Sequence, residues 1–458
     1  MTIKRQKVCN LCNSQFTTSQ IKAKYCPECR TKAKKKSQTD RRLNLAQRRV
    51  ISLPQADEWL WIARECRKAG TVEILKGVDI AALFALRKIR YQTYGWDAET
   101  NKSKFHLCHI SPVKGMESVG LLHHLNLFIG NSLPNQKFSN KSYKGRGLCI
   151  PKSELKTKWR ITAGASDRQV LDKVTNYLGT ALIDYAKDHP IRKSQRFSLA
   201  KWVFQNDPAN ILTIEELNYL SMSELRKIKA KVEGKEVYKF NYPAKRSVLV
   251  SLQECQRLSE QLPDGQHKSD IAFMIPVLQV AAAWLSRTAE GEGLSSLLEK
   301  PYGVKWKPLE LREGMDASKL RDFISFQAFE ALQGAPVDRK LIRNTLRKYL
   351  TVTSLAPDYS GSNSSMQEYF ANEYSQFVKQ VPIVKNALIS LGLPDKVMLA
   401  EELIKAEVAA REEAIYASFE YEQCADLYDY STIHYEVEED YTPNPNLRTF
   451  REEVFVAF

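Results

Sequence analysis

Apolar residues recur every three to four positions along most of this chain, the spacing of helices that bury one face. Between positions 55 and 94 the pattern is explicit. Trp59, Ile62, Ala63 and Cys66 share a face and Gly70 ends the run; a second helix follows over 80–91, its apolar face ending in Arg87, Lys88 and Arg90. Past 150 the same spacing predicts helices over 166–186, 214–232, 251–262, 270–285, 317–332 and 394–417. Pro and Gly clusters at 206–208, 262–265, 291–293 and 358–363 punctuate them. One region reads differently. Phe105-His-Leu-Cys-His109 is a β-type run ending in a histidine, a loop follows to Gly120, and Leu127-Phe-Ile129 forms a second apolar run before a polar segment containing Asn135.

Composition adds class and partner to this picture. A chain of 458 residues has room for two to four domains, and 43% hydrophobic with 10% aromatic residues describes a globular protein. No run of about 18 apolar residues occurs and the first residues lack an apolar signal core, so the expectation is a cytoplasmic protein without membrane contact. The formal charge of +15 points to a polyanionic partner such as DNA. No P-loop, Gly-x-Gly-x-x-Gly, Gly-x-Ser-x-Gly or internal repeat is present.

Four of the nine cysteines stand in pairs: Cys9 with Cys12 and, thirteen residues on, Cys26 with Cys29. Each Cys-x-x-Cys turn presents two thiolates to one tetrahedral ion. Two such turns close a structural four-cysteine zinc site whose binding energy folds a segment too short for its own core. Phe16 and Tyr25 are expected beside the turns, and Cys66, Cys149, Cys255 and Cys424 as small buried apolar residues. Directly behind come Arg30, Lys32, Lys34, Lys35, Lys36, Arg41, Arg42, Arg48 and Arg49. Residues 1–50 hold fourteen Lys/Arg against Glu28 and Asp40. The run reads as a phosphate-contacting arm that gives salt-sensitive, sequence-independent affinity.

The stretch from 105 to 137 carries the candidate chemistry. Phosphodiester hydrolysis in a small fold needs an imidazole to activate water and one divalent ion to neutralise the phosphate and leaving oxygen. His109, Pro112, Asn126-Leu127, Asn135 and Lys137 resemble the HNH family of His-Me finger endonucleases. Its pattern runs Asp-His-x-x-Pro, a Gly-containing loop, Asn-Leu, then a final Asn or His often followed by Lys. The resemblance covers only Phe105 to Lys137. It implies a ββα-metal hairpin and helix with Mg²⁺ or Mn²⁺. His109 would be the base, Asn126 the brace that orients the hairpin, and Asn135 a contributor to the metal site. Cys108 stands where the family has a carboxylate, and a thiolate suits hard Mg²⁺ poorly. The ion would then be held mainly by Asn135, or with help from Cys108, His106 or another residue, or would differ. Gly130 and Leu133 occupy positions where some members carry a structural cysteine pair, so no second zinc is expected. Lys137, Lys144 and Arg146 are candidate phosphate contacts beside the simpler reading of surface charge, and His106, His123 and His124 are expected to face solvent or phosphate.

The expected fold class is α+β. A small N-terminal zinc ribbon with its basic arm spans 1–50, a helical tether and ββα-metal core spans 51–150, a mainly helical region without an assignable motif spans 151–410, and an acidic aromatic tail spans 411–458. That tail carries twelve Asp/Glu against Arg411, Arg448 and Arg451. It is either a solvated end or a cover for the basic path, and it or the helical region could engage a protein partner. The function this implies is a metal-dependent DNA endonuclease. The combination resembles proteins of bacteriophages and mobile elements, which places it in a bacterial cytoplasm or nucleoid. The alternatives are a non-catalytic, zinc-dependent DNA-binding or regulatory protein with a degenerate hairpin, and a protein that binds or cuts RNA.

Overall fold

The computed structural model describes residues 4–93, 96–97, 102–138, 140–237, 247–285, 306–359, 364–369 and 371–429. It is a mixed architecture, mainly helical with small antiparallel sheets. In chain order, β1 (Arg5–Val8) pairs with β2 (Gln15–Thr18). Next come α1 (Pro27–Ile51), α2 (Asp57–Ala69) and α3 (Ile80–Thr93). β3 (Trp96–Asp97) and β4 (Lys102–Ser103) pair briefly. The central segment holds β5 (Phe105–His109), β6 (Ser118–Gly120), β7 (Leu127–Asn131), α4 (Ser132–Phe138) and β8 (Cys149–Pro151). Then follow α5 (Asp167–Leu178), α6 (Thr180–Asp188), α7 (Gln195–Asn206), α8 (Ile214–Leu217) and α9 (Met222–Glu233). α10 (Ser247–Gln261), α11 (Gln266–Leu285), β9 (Leu309–Leu311), α12 (Ala317–Gln333), α13 (Arg339–Tyr349) and β10 (Leu350–Val352) come next. The described residues end with α14 (Ser364–Tyr369), α15 (Ala371–Ser390) and α16 (Lys396–Asp429).

The chain forms two compact units, Met1–Leu393 and Pro394–Phe458. In the second, α16 is exposed from Leu403 to Ser418. Positions 430–458, most of the acidic tail, lie outside the described residues. No helix among the described residues is long and apolar enough to cross a membrane.

The main core of the first unit gathers α2, α3, α5, α6 and one face of the β5–β7 hairpin. Trp59 sits in it, edge-on to Phe84 at 5.4 Å and Tyr185 at 6.2 Å, and its predicted face-mates Ile62, Ala63 and Cys66 are all buried. Gly70 ends α2 at φ 75°, a conformation a side chain would strain. From Ile271 to Trp284 α11 is apolar but for Gln279 and mostly buried, packed against α10, α12 and α15.

Two predicted helices break. The 166–186 run is α5 and α6, divided at Gly179, whose φ of 52° and ψ of −120° no helix continues through. The 214–232 run is α8 and α9. Thr213 with Glu216, and Ser221 with Glu224, form consecutive capping boxes that start a new helix each time. Cys66 and Cys255 are buried as expected. Cys149, on the short strand β8, is exposed instead, and the side chain of Cys424 lies outside the described residues.

Candidate functional site

The first candidate site is built by the two cysteine turns. After β1, Asn13 takes a left-handed φ of 57°, and the chain folds back with Asn13 N–H donating to the Cys9 carbonyl at 2.9 Å. The second turn is also the start of α1: Cys26 caps the helix, its sulfur accepting the Cys29 N–H at 3.4 Å, and Pro27 takes the first helical position. The four sulfurs lie within 4.8 Å of one another, Cys12 and Cys26 being 3.8 Å apart. A tetrahedral zinc with sulfur ligands needs sulfur–sulfur edges of about 3.8 Å. The donor set therefore fits a metal ion such as zinc. Burial works to raise the Cys9 thiol, yet the N–H groups of Cys26, Leu11 and Cys12 bring it down to about 6. Cys29 is pushed up to about 12, chiefly by the Cys26 and Cys12 sulfurs beside it. Thiolates this close repel, and a divalent cation among them removes the repulsion. Phe16 and Tyr25 pack against the cluster.

α1 carries this cluster on an arm. Of its residues from Arg30 to Leu45 only Ala33 is even half-buried, so Lys34, Lys35, Lys36, Arg41 and Arg42 all stand in solvent. The helix docks at its far end. Ala46 is fully buried, Arg49 donates to the carbonyls of Ala186 and Lys187 at the end of α6, and Arg42 pairs with Asp188. α1 holds nine Lys/Arg against Glu28 and Asp40.

The second candidate site is the hairpin. β5 pairs antiparallel with β7, with His109 opposite Leu127, and α4 follows β7 directly. Strand, loop, strand and helix thus come in the predicted order. Asn126 is completely buried and makes four hydrogen bonds across the loop. Its Oδ1 accepts the N–H groups of Ser111 at 2.9 Å and Leu148 at 3.0 Å. Its Nδ2 donates to the carbonyls of Leu121 at 2.8 Å and Ser111 at 3.1 Å. The loop that follows His109 is therefore tied at both ends to one amide.

His109 and Cys108 are less open. Side chains alternate along β5, and Phe105 and Leu107 face the main core together with Leu127 and Ile129. His109 shares that face. The residue is half-buried, yet its Nε2 is fully buried with no hydrogen-bond partner among the described residues. Burial, with the Lys68 charge adding, lowers its pKa to about 3. A base that weak is poorly matched to abstracting a proton from water near neutral pH.

Cys108 lies on the opposite face, buried and close to Gly130. There Phe329 of α12 packs on Phe128 at 5.5 Å and on Phe138 of α4 at 6.4 Å. Burial pushes its thiol up, out of the range in which a thiolate forms. Asn135 is half-buried on α4. Among the described residues the four N-terminal cysteines are the sole group of three or more His, Cys, Asp or Glu placed to hold a metal. The residues present at the hairpin do not fit the divalent ion that the resemblance implies.

The basic candidates around the hairpin divide. Lys137 and Lys144 are exposed, whereas Arg146 is half-buried with its stem against Gly334, at the end of α12. Two contacts hold the 141–147 segment in place. Tyr143 donates to Glu330 at 2.6 Å, and Gly147, at φ 71°, packs so closely that a Cβ would come within 2.4 Å of Asn126 Oδ1. His123, expected at the surface, is buried. It accepts the Leu125 N–H at 3.1 Å and stacks on His124 at 4.4 Å.

Sequence reasoning missed the residues that hold the hairpin from afar. Glu254, buried on α10, accepts the Ile129 N–H at 3.0 Å, and Arg257 donates to the Leu127 carbonyl at 2.7 Å while pairing with Glu254 at 2.6 Å. Gln333 donates to the His109 carbonyl at 2.6 Å. A charged pair one helical turn apart, with Glu254 set among the apolar Leu252, Cys255 and Leu258, was the available signal for Glu254 and Arg257. Nothing marks Gln333.

No family model, curated protein or solved structure matches this chain.

Proposed function

We propose that this chain is a nucleic-acid-binding protein in which zinc, held by Cys9, Cys12, Cys26 and Cys29, orders a basic arm, and the HNH-like hairpin serves as scaffold. The observation that carries the reading is α1. A helix polar on all sides and exposed from Arg30 to Leu45 gains little from burial, yet it keeps nine cations and begins inside the cysteine cluster. An exposed row of that charge suits a phosphate backbone and releases its counterions.

The test is binding of labelled duplex DNA, by fluorescence anisotropy, to wild type, Lys34→Glu/Lys35→Glu/Lys36→Glu and Cys9→Ser. The expected result is salt-dependent binding whose log–log slope falls by about 3 in the lysine variant and which is lost in Cys9→Ser. Wild-type affinity in both variants overturns the reading.

A second reading, metal-dependent cleavage with His109 as base, is favoured by the four hydrogen bonds of Asn126. They brace the loop in the manner such a hairpin requires. Nicking of supercoiled plasmid with Mg²⁺ or Mn²⁺, abolished by EDTA and by His109→Ala, would replace the scaffold assignment with an active site.

A further inference from the structure

The arm does not end in open surface. α6, on which α1 docks, contributes Tyr185 to the wall of a groove of about 2270 Å³, and the turn after it contributes His189, Arg192 and Lys193. The groove lies among α2, α3, the start of α7, and α9. Twelve Lys/Arg line it against seven Asp/Glu. Three of the acids are paired within the groove: Asp57 contacts Arg196, Asp167 pairs with Arg67, and Glu233 pairs with Lys229 and Lys235. Glu224 caps α9, and Glu58, Glu215 and Glu236 are exposed on the walls.

The cations still outnumber the acids by five. Arg64, Lys88, Arg192, Lys193, Arg226 and Lys227 are exposed, and none of the six forms an ion pair with another described residue. They come from both walls: Arg64 and Lys88 from α2 and α3, Arg226 and Lys227 from α9. The groove is built in advance. Ser194 N–H donates to the Gln55 carbonyl at 2.8 Å, its hydroxyl donates to Asp57 at 2.5 Å, and Arg196 donates to the carbonyls of Asn218 and Leu220. These bonds lock the start of α2 to α7 and to the α8–α9 turn.

Size and lining select the occupant. Small-molecule clefts enclose about 300–1,000 Å³, so this groove suits a polymer. Tyr219 is 80% exposed on its wall, whereas the ring of Tyr91 is already stacked on by the Arg87 and Arg90 guanidiniums. An open aromatic face among cations is what an unpaired base stacks on, whereas a duplex keeps its bases inside and presents only phosphates. An acidic peptide would satisfy the charges and leave the Tyr219 ring unused.

We infer that this groove is a binding path for single-stranded nucleic acid, continuous with the basic arm and distinct from it in what it recognises. This rests on the nucleic-acid reading above. The arm supplies phosphate contacts to any polyanion, and the groove supplies preference for an unpaired strand.

The experiment uses the full-length, zinc-loaded protein with labelled oligo(dT), the matching uridine oligomer and a duplex, each titrated with salt. Arg192→Glu/Lys193→Glu/Arg226→Glu/Lys227→Glu should weaken oligo(dT) binding about ten-fold or more and lower its salt slope by about 3, leaving duplex affinity near wild type. Tyr219→Ala, at a side chain too exposed to support the fold, should weaken single-strand binding without changing the slope. Tighter binding of the uridine oligomer would support the groove as an RNA path, and of oligo(dT) as a DNA path. Wild-type oligo(dT) affinity in both variants overturns the inference, as does displacement by polyglutamate as readily as by unlabelled oligo(dT). If the groove variants are silent while the arm variants lose all binding, the groove falls and the nucleic-acid reading stands. If wild type binds no nucleic acid, both fall.

Discussion

His109 is neutral in the folded chain down to about pH 3, because burial disfavours the imidazolium and Lys68 repels it. In the unfolded chain its pKa returns to about 6.5. The unfolded state therefore takes up the proton first. The contribution to stability is complete above about pH 6.5 and is lost as pH falls toward 3. Between pH 7 and pH 5 this one group should cost about 2 kcal/mol of stability. Urea unfolding at the two pH values measures it: His109→Gln should show a drop smaller than wild type by that amount, and an equal drop would mean that the ring reaches water. At this scale sequence and structure agree unevenly. His109 at a strand end and Asn126 as a brace were legible because their roles are local to a hairpin. The enclosure of His109 and Cys108 was not, since Lys68, Phe329 and Gln333 come from elsewhere in the chain.

At the scale of elements, α1 has one anchored end and one that depends on the cysteines. Among the described residues the helix start is held within its own module, by the four-cysteine cluster, its two aromatic neighbours and a hydrogen bond from Arg30 to Gln20, whereas Ala46 and Arg49 tie the last turns to α6. Stripping the ion with a strong chelator should therefore melt residues 5–40 and spare the body. Hydrogen exchange should show protection lost over β1, β2 and the first turns of α1 but kept in α2, α5 and α6. Uniform loss would mean that the metal supports the whole unit. Periodicity placed α2, α3, α11 and α12 well because each buries a broad apolar face. It ran α5 into α6 and α8 into α9 because caps and a single glycine dihedral outweigh an apolar pattern that continues through them. α13 was overlooked, since only Ile342 and Leu346 are buried among its many cations.

At the scale of the molecule, a boundary at 150 reads naturally from the motif and cuts through what holds the hairpin. Both of its faces are covered. The main core takes one, while Phe329 takes the other and Glu254 and Arg257 bind the β7 backbone. Residues 51–150 expressed alone should be insoluble or lack dispersed amide resonances, whereas 1–393 should fold. A well-dispersed spectrum from the short fragment would show the hairpin to be autonomous.

The hydrogen bond from Gln333 to the His109 carbonyl joins positions 224 residues apart. A ribosome adding about 5–20 residues per second needs roughly 10–45 seconds to cover that span. Through that interval the face carrying Phe128 and Gly130 has no lid, and an uncovered apolar strand pair is what chaperones bind and what neighbouring nascent chains stick to. Translation speed over residues 150–333 thus becomes a determinant of yield, and synonymous codon changes there would act on this protein without altering a single contact in its finished fold.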